Sequence, residues 1–234
     1  MVNEMKELFE TSMFAGVTIS ILTYVLGVEL RKKFNSAIFN PLLLSIVATI
    51  FILIIADIDY KTYNEGTKYL SWLLTPSTVC LAIPLYEQLP LLKKNYKAVF
   101  LGILSGVITG MISIFVLAKI MNFSHREYVS LIPKSITTAI GMGVSEELGG
   151  YVTITVAVIV ITGVLGNILG EVICSIFKIK DPIAKGLAYG TSAHAMGTAK
   201  AIELGKVEGA MSGLAIAVTG IMTVFFAPLF AGFI

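Results

Sequence analysis

Residues 152–177 read VTITVAVIVITGVLGNILGEVICSIF, and this stretch decides the class of fold. It is apolar over the length of about 20 residues that a helix needs to cross a bilayer. Four further stretches have the same character: 12–30, 41–57, 98–118 and 209–233. Across 234 residues, 56% are hydrophobic and only 14% are charged. We therefore predict an all-α polytopic membrane protein with one integral domain over residues 1–234.

Charge and cysteine content argue against several other classes of protein. The net charge is only +2 and the basic residues are scattered, which excludes a nucleic-acid surface. Cys80 and Cys174 lie inside apolar stretches, where a thiol behaves as a small hydrophobic group. The cysteines therefore predict neither a disulfide framework nor a metal site.

Three other apolar stretches are interrupted by proline, glycine and hydroxyl residues: 69–89, 128–148 and 183–204. Pro76, Pro84 and Pro133 lie in the first two stretches, where they remove backbone donors and should break or kink a helix. Broken backbone at membrane depth is tolerated only where protein buries it or where it lines a cavity. The interrupted stretches are therefore the predicted location of a binding site.

Three short loops are basic: 31–35, 93–97 and 178–185. The positive-inside rule places these loops in the cytoplasm. With that placement, 69–89 crosses as a kinked helix and 183–204 also crosses, whereas 128–148 enters and returns. The prediction is about seven crossings and one re-entrant element, with the N-terminus outside.

A short internal similarity supports a repeat. VITGMI at 107–112 resembles AVTGIM at 217–222, and each follows an interrupted stretch. With the predicted topology, a first repeat at 12–118 and a second at 128–233 run through the membrane in opposite senses. We therefore expect inverted repeats whose interrupted helices meet near the midplane.

The stretch LIPKSITTAIG at 131–141 has the composition of an anion site. A helix that starts after Pro133 presents free amides to an anion. The residues that follow add a cation and hydroxyl groups: Lys134, Ser135, Thr137 and Thr138. The hydroxyls are equally explained as packing residues that bond to backbone carbonyls. That explanation does not cover Lys134, because a cation in the apolar zone is costly unless it pairs, snorkels or meets a substrate.

A second polar stretch, GTSAHAMGTAKAIE at 190–203, holds the remaining candidate binding residues: Ser192, His194, Gly197 and Thr198. His194 and Thr198 are four positions apart and share a helix face. A membrane histidine can also be a hydrogen-bonded packing residue. Metal-ligand spacing and a nucleophile pattern are both missing from this stretch, so we expect no metal site, no cofactor and no enzyme.

Three glutamates are candidates for coupling transport to a proton or a cation: Glu87, Glu171 and Glu203. Glu87 and Glu203 occupy corresponding places in the two predicted repeats. Each carboxylate has a second explanation, since Glu87 can lie among lipid headgroups and Glu171 can pair at the interface. Glu203 can pair with Lys200 on the last turn of its helix.

Three motifs carry a resemblance to a known family: TPSTVCLAIPLYEQLPLLKKNYK at 75–97, IPKSITTAIGMGV at 132–144 and GTSAHAMGTAKAIELGKVEGAMSGLAI at 190–216. The chain resembles the LrgB/CidB family of bacterial membrane proteins over almost its whole length. The family's Lys-Ser-x-Thr-Thr pattern falls on 134–138, and its His-Ala-x-Gly-Thr-Ala pattern falls on 194–199. The chain has Ala139 where relatives have proline, and Ala193 where relatives have the serine that here stands one place earlier, as Ser192.

The resemblance implies two different functions. Bacterial members are linked to murein hydrolase export and autolysis together with a small LrgA/CidA-like, holin-type partner, whereas related proteins resemble carriers of glycolate, glycerate or pyruvate. We expect an alternating-access carrier of small monocarboxylates in the bacterial cytoplasmic (inner) membrane, acting as a homo-oligomer. The alternative is a non-transporting membrane protein that modulates a holin-like partner.

Overall fold

The computed structural model describes residues 14–34, 41–73, 82–87 and 89–234, together with positions 6, 9, 12, 39, 76 and 80. Every regular element within these residues is helical, in agreement with the predicted all-α class. Two compact units, Met1–Cys80 and Leu81–Ile234, are described separately. The single domain with repeats at 12–118 and 128–233 stays a prediction.

The described part of the first unit holds three helices: α1, Ala15–Phe34; α2, Pro41–Ile55; and α3, Tyr60–Trp72. α1 packs against both α2 and α3. Thr23 of α1 bonds with Ser45 and Thr49 of α2 at 2.9 and 3.1 Å, and Ser20 bonds with the Tyr63 hydroxyl of α3 at 2.7 Å. Hydroxyl groups thus join these helices, as is common in membranes.

The second unit contains the helices that build the candidate site: α4, Ala82–Glu87; α5, Leu89–Met121; α6, His125–Leu131; α7, Thr138–Glu147; α8, Val152–Ile176; α9, Pro182–Leu204; and α10, Lys206–Ala231. Among the described helices, α5, α8 and α10 are long and apolar enough to cross a membrane. α10 packs closely against α9 and also meets α4 and α5. The chain is thus a helical membrane protein.

α6 and α7 are the two arms of a hairpin, which we call the first hairpin. The Ser130 hydroxyl in α6 accepts a hydrogen bond from the Tyr151 amide at 2.6 Å. The Thr155 hydroxyl lies within hydrogen-bond distance of the Ser130 carbonyl, at 2.8 Å, and of the Ser145 hydroxyl in α7, at 2.7 Å. Both arms therefore meet the first turn of α8. The segment predicted to enter and return does return to its starting end.

The tip of the first hairpin, residues 132–137, is the only part of it without helical structure. Pro133 is fully buried there and cannot donate a backbone hydrogen bond. Turns replace the helix, with the Lys134 amide donating to the Leu131 carbonyl at 3.1 Å and the Ile136 amide donating to the Pro133 carbonyl at 3.3 Å. The helical structure is thus interrupted around Pro133.

α9 also doubles back, and we call it the second hairpin. Its backbone departs from helical geometry at Ala193 (φ −129°, ψ 17°) and His194 (φ 42°, ψ −136°). A Cβ added to Gly197 would lie 2.5 Å from the carbonyl oxygen of Tyr189. In a straight helix these two positions are about 12 Å apart along the axis. The arms, residues 182–192 and 195–204, therefore lie side by side.

Contacts with α10 show that the two arms are antiparallel. The first arm meets α10 at residues whose numbers rise together: Gly186 with Glu208 and Gly190 with Ser212. The second arm meets α10 at residues whose numbers run in opposite order: Thr198 with Ser212 and Ile202 with Gly209. The chain therefore enters at Pro182 and returns to the same end of α10 by Leu204.

The predicted crossing at 183–204 is therefore wrong, and the count of seven crossings is not confirmed. No proline marks this break in the sequence. The chain turns instead at His194, whose φ is positive. The kinked crossing predicted at 69–89 includes residues 74, 75, 77–79, 81 and 88, which lie outside the described residues. Pro76 is helical and exposed, and Pro84 lies within α4. The inverted repeats stay a prediction.

Candidate functional site

The two hairpins approach each other from opposite ends of the second unit. The end of the first hairpin away from its tip lies near the end of α10, where the Tyr128 hydroxyl donates to the Phe230 carbonyl at 3.0 Å. The same end of the second hairpin lies near the start of α10, where Gly186 lies against Glu208. Their arms extend from these ends toward the middle of α8 and α10.

α8 holds the tips of both hairpins at one level. The imidazole Nε2 of His194 lies 2.9 Å from the carbonyl oxygen of Ile159. A Cβ on Gly141, in the first hairpin, would lie 2.5 Å from the Ile159 side chain. Gly163, one turn further along α8, leaves room for the His194 ring. Small residues on α8 and on the first hairpin thus allow both breaks to reach the same place.

A cavity of about 680 Å³ lies between α5, the first tip and the first arm of the second hairpin. Gly102 and Gly106 of α5 face Leu187 and Thr191 of α9, so the two helices run parallel along it. The lining extends along α5 from Asn95 to Gly110. This stretch corresponds to about 22 Å of helix. The cavity is therefore a long groove with two chemically different ends.

At the tip end of the cavity, Lys134 and Ser135 come from the first hairpin and Thr191 and Ser192 from the second. Lys134 Nζ donates to the Ser135 hydroxyl at 2.8 Å. Within the described part of the chain, no carboxylate pairs with this ammonium group. A partly buried cation with only a hydroxyl partner is a place where an anion is stabilised.

At the other end of the cavity, the lining includes Asn95 and Asp181. Asp181 caps α9, its carboxylate accepting from the Ala184 amide at 2.9 Å. These two residues are surrounded in sequence by lysines, which we call the basic rim: Lys93, Lys94, Lys97, Lys178, Lys180 and Lys185. The six lysines of the basic rim outnumber the single carboxylate of Asp181. The positive charge in these loops therefore exceeds the negative charge, which favours anions.

Thr191 is a lining residue that the sequence analysis does not select. It is only 7% exposed, and its hydroxyl has no hydrogen-bond partner. The available signal is spacing, since Ala184, Leu187 and Thr191 recur at three and four positions and so share the face of α9 that lines the cavity. The neighbouring Ser192, a predicted binding residue, already donates its hydroxyl to the Ala188 carbonyl at 2.6 Å.

Several residues predicted to face a ligand are used for packing. His194 is 4% exposed and bonds to Ile159, and the Thr198 hydroxyl bonds to the His194 carbonyl at 3.1 Å and the Ser212 hydroxyl at 2.7 Å. Gly197 lies against Tyr189. Thr137 caps α7 without a side-chain bond, and Thr138 begins that helix. Neither is among the residues that line the cavity.

The three candidate coupling carboxylates are not brought to the cavity. Lys200 Nζ lies 3.4 Å from Glu171 and 3.5 Å from Glu203, and its side chain is 15% exposed. The lysine therefore pairs with both carboxylates and ties the second arm to α8. Glu87 is exposed at the end of α4. No group of three or more metal-binding side chains occurs among the described residues.

Residues 20–233 match the family model of the LrgB-like family. The chain is 37% identical over 213 residues to the holin-like protein CidB of Staphylococcus epidermidis, which covers 91% of this chain and 93% of that protein. It is also 37% identical over 222 residues to the antiholin-like protein LrgB of Bacillus cereus, which covers 94% and 96%. No solved structure matches it. The chain therefore belongs to the LrgB-like family, as the motifs around Lys134 and His194 predict.

Proposed function

We propose that this chain acts in the bacterial cytoplasmic membrane as a modulator of a small LrgA/CidA-like, holin-type protein and thereby of autolysis. The support is the naming of two relatives with near full-length similarity as holin-like and antiholin-like proteins. These names favour this function over transport. A homo-oligomer, which the sequence analysis expects, is part of the same proposal.

The experiment for this function compares cells that express the partner alone, the chain alone, and both together. The modulator function requires the lysis caused by the partner to change when the chain is present. Lysis curves that are identical with and without the chain would contradict it. Chemical cross-linking of the two proteins in intact membranes then tests whether the effect is direct.

A second function, binding and transport of a small monocarboxylate, is favoured by the surroundings of the Lys134 side chain. Its ammonium group reaches a cavity from a broken helix tip and has a hydroxyl, rather than a carboxylate, as its partner. A charged ligand offsets the cost of such a cation, and the basic rim favours an anion at the other end.

The chain offers a matched pair of lysines for testing this second function. Lys134→Met removes the cavity cation, whereas Lys200→Met removes a lysine of similar burial that pairs with Glu171 and Glu203 away from the cavity. We expect Lys134→Met to weaken carboxylate binding by about thirtyfold or more, as for removal of a buried charged partner. Lys200→Met should retain binding and lose stability.

Proteoliposomes containing the purified chain separate the two functions. Uptake of labelled pyruvate by the chain alone, absent in Lys134→Met and present in Lys200→Met, supports transport. Uptake that requires the holin-type partner supports modulation. Equal uptake by wild type and Lys134→Met would contradict the role of the cavity lysine.

A further inference from the structure

Three buried hydroxyl groups have no hydrogen-bond partner among the described residues: those of Tyr189, Thr191 and Thr219. A buried hydroxyl without a partner is costly, so such groups are rare and require an explanation. Thr191 alone among the three lines the cavity. Thr191 therefore differs from the other two in lying in a cavity wall, where a bound ligand can supply the missing hydrogen-bond partner.

The local packing explains why the Thr191 hydroxyl does not bond to a backbone carbonyl of its own helix. A hydroxyl on a helix ordinarily bonds to the carbonyl four residues earlier, as Ser192 does with Ala188 and Thr198 does with His194. The Thr191 methyl group instead packs against Gly106, where a Cβ would lie 2.6 Å from it. The hydroxyl is left without a partner in the wall of the cavity.

Lys134 reaches the same cavity from the other hairpin, with Ser135 as its hydrogen-bond partner. The two tips therefore present a cation on one side and a neutral hydroxyl on the other. An ammonium group binds a carboxylate, whereas a threonine hydroxyl can donate to a carbonyl or accept from a hydroxyl. A monocarboxylate with an oxygen on its second carbon carries both complementary groups.

We propose that Thr191 is the specificity-determining residue of this site, bonding to the 2-oxo or 2-hydroxy oxygen of a small acid whose carboxylate is held by Lys134. This assignment rests on the proposed binding of monocarboxylates. It places one ligand contact on each hairpin, so only an acid with both groups bridges the two tips. His194 and Thr198 orient the second tip and do not touch the ligand.

Calorimetry on the purified full-length chain tests the assignment with pyruvate, lactate and propionate, which differ mainly in the oxygen on the second carbon. We expect the wild type to bind pyruvate and lactate about tenfold more tightly than propionate, the effect of one buried hydrogen bond. Thr191→Val should lower both affinities to that for propionate and leave propionate unchanged. Thr191→Ser should restore the preference.

Thr219→Val is the matched control, because Thr219 is also buried and unpartnered but lies on α10 outside the cavity lining. It should leave all three affinities at the wild-type values. A Thr191→Val variant that keeps the wild-type preference would overturn the assignment while leaving carboxylate binding in place. Equal weakening of all three acids would make Thr191 a packing residue. A wild type that binds none of them would overturn the binding site itself, and the assignment with it.

Discussion

The two hairpins of the second unit break their helices by different means and use their polar groups differently. The first breaks at Pro133, leaves an open tip and presents Lys134 to the cavity. The second breaks at a left-handed His194 and turns the side chains of His194 and Thr198 inward, to Ile159 and Ser212. A break without proline frees backbone groups that side chains must then satisfy. Polar residues in a membrane stretch can therefore serve the turn rather than a ligand.

The largest expected effect concerns the path of the second hairpin. In a background with Cys80→Ser and Cys174→Ala, single cysteines at Lys180 and Lys206 should react with a membrane-impermeant maleimide from the same face. The reason is that residues 182–204 return to their starting end. Cysteines at Met121 and Glu147, which flank the first hairpin, should both react from the opposite face. Labelling of 180 and 206 from opposite faces would restore the predicted crossing.

Alanine substitutions at two glycines on the return arms should have different effects on the free energy of unfolding. Gly197→Ala forces a methyl group against the Tyr189 carbonyl, so we expect a loss of about 1–3 kcal/mol of unfolding free energy. Gly143, on the first hairpin, has nothing within 4 Å of an added Cβ. Gly143→Ala should be neutral or gain up to about 1 kcal/mol from helix propensity. Unfolding in mixed micelles measures both, and equal effects would mean that the arms are not in contact.

Substitutions at His194 separate its backbone strain from its hydrogen bond. His194→Ala keeps a non-glycine residue at φ 42° and removes the bond to Ile159, so we expect it to lose about 1–3 kcal/mol. His194→Gly removes the same bond but relieves the strain, and should therefore be more stable than the alanine variant. His194→Gln keeps a donor, so its carboxylate affinity should stay at the wild-type value. A large loss of affinity in a folded glutamine variant would place His194 at the ligand.

The smallest expected effect concerns the residues that cap the first helix turn of each hairpin. α6 starts with a capping box, in which Ser124 and Glu127 bond to each other, whereas α9 starts with Asp181 before Pro182. Hydrogen bonds from the Ser124 side chain and amide lower the pKa of Glu127 below its usual value. Its stabilisation is therefore present above about pH 4 and is lost as the pH falls through the lowered pKa. Glu127→Gln should remove this pH dependence of the melting temperature, and an unchanged profile would contradict it.

The sequence predicts the features of this fold that leave a local chemical mark. Long apolar runs identify α5, α8 and α10, and Pro133 identifies the first tip together with Lys134 and Ser135. The break at His194 leaves no such mark, because tertiary contacts with Ile159 and Gly163 hold the histidine in its unusual backbone conformation. The packing of Thr191 in the cavity wall likewise depends on Gly106, which is distant in sequence.

The two arms of the second hairpin are held to their neighbours by different kinds of contact. Its return arm is tied to α8 by the Asn167 amide, which donates to the Met196 carbonyl at 2.8 Å, and by the pair of Glu171 with Lys200. Its first arm is pressed through glycines against α10, whereas among the described residues it meets α5 at Gly102 and Gly106 by van der Waals contact. The first arm can therefore shift against α5 without breaking a hydrogen bond among the described residues, whereas a shift of the return arm against α8 breaks a hydrogen bond and an ion pair.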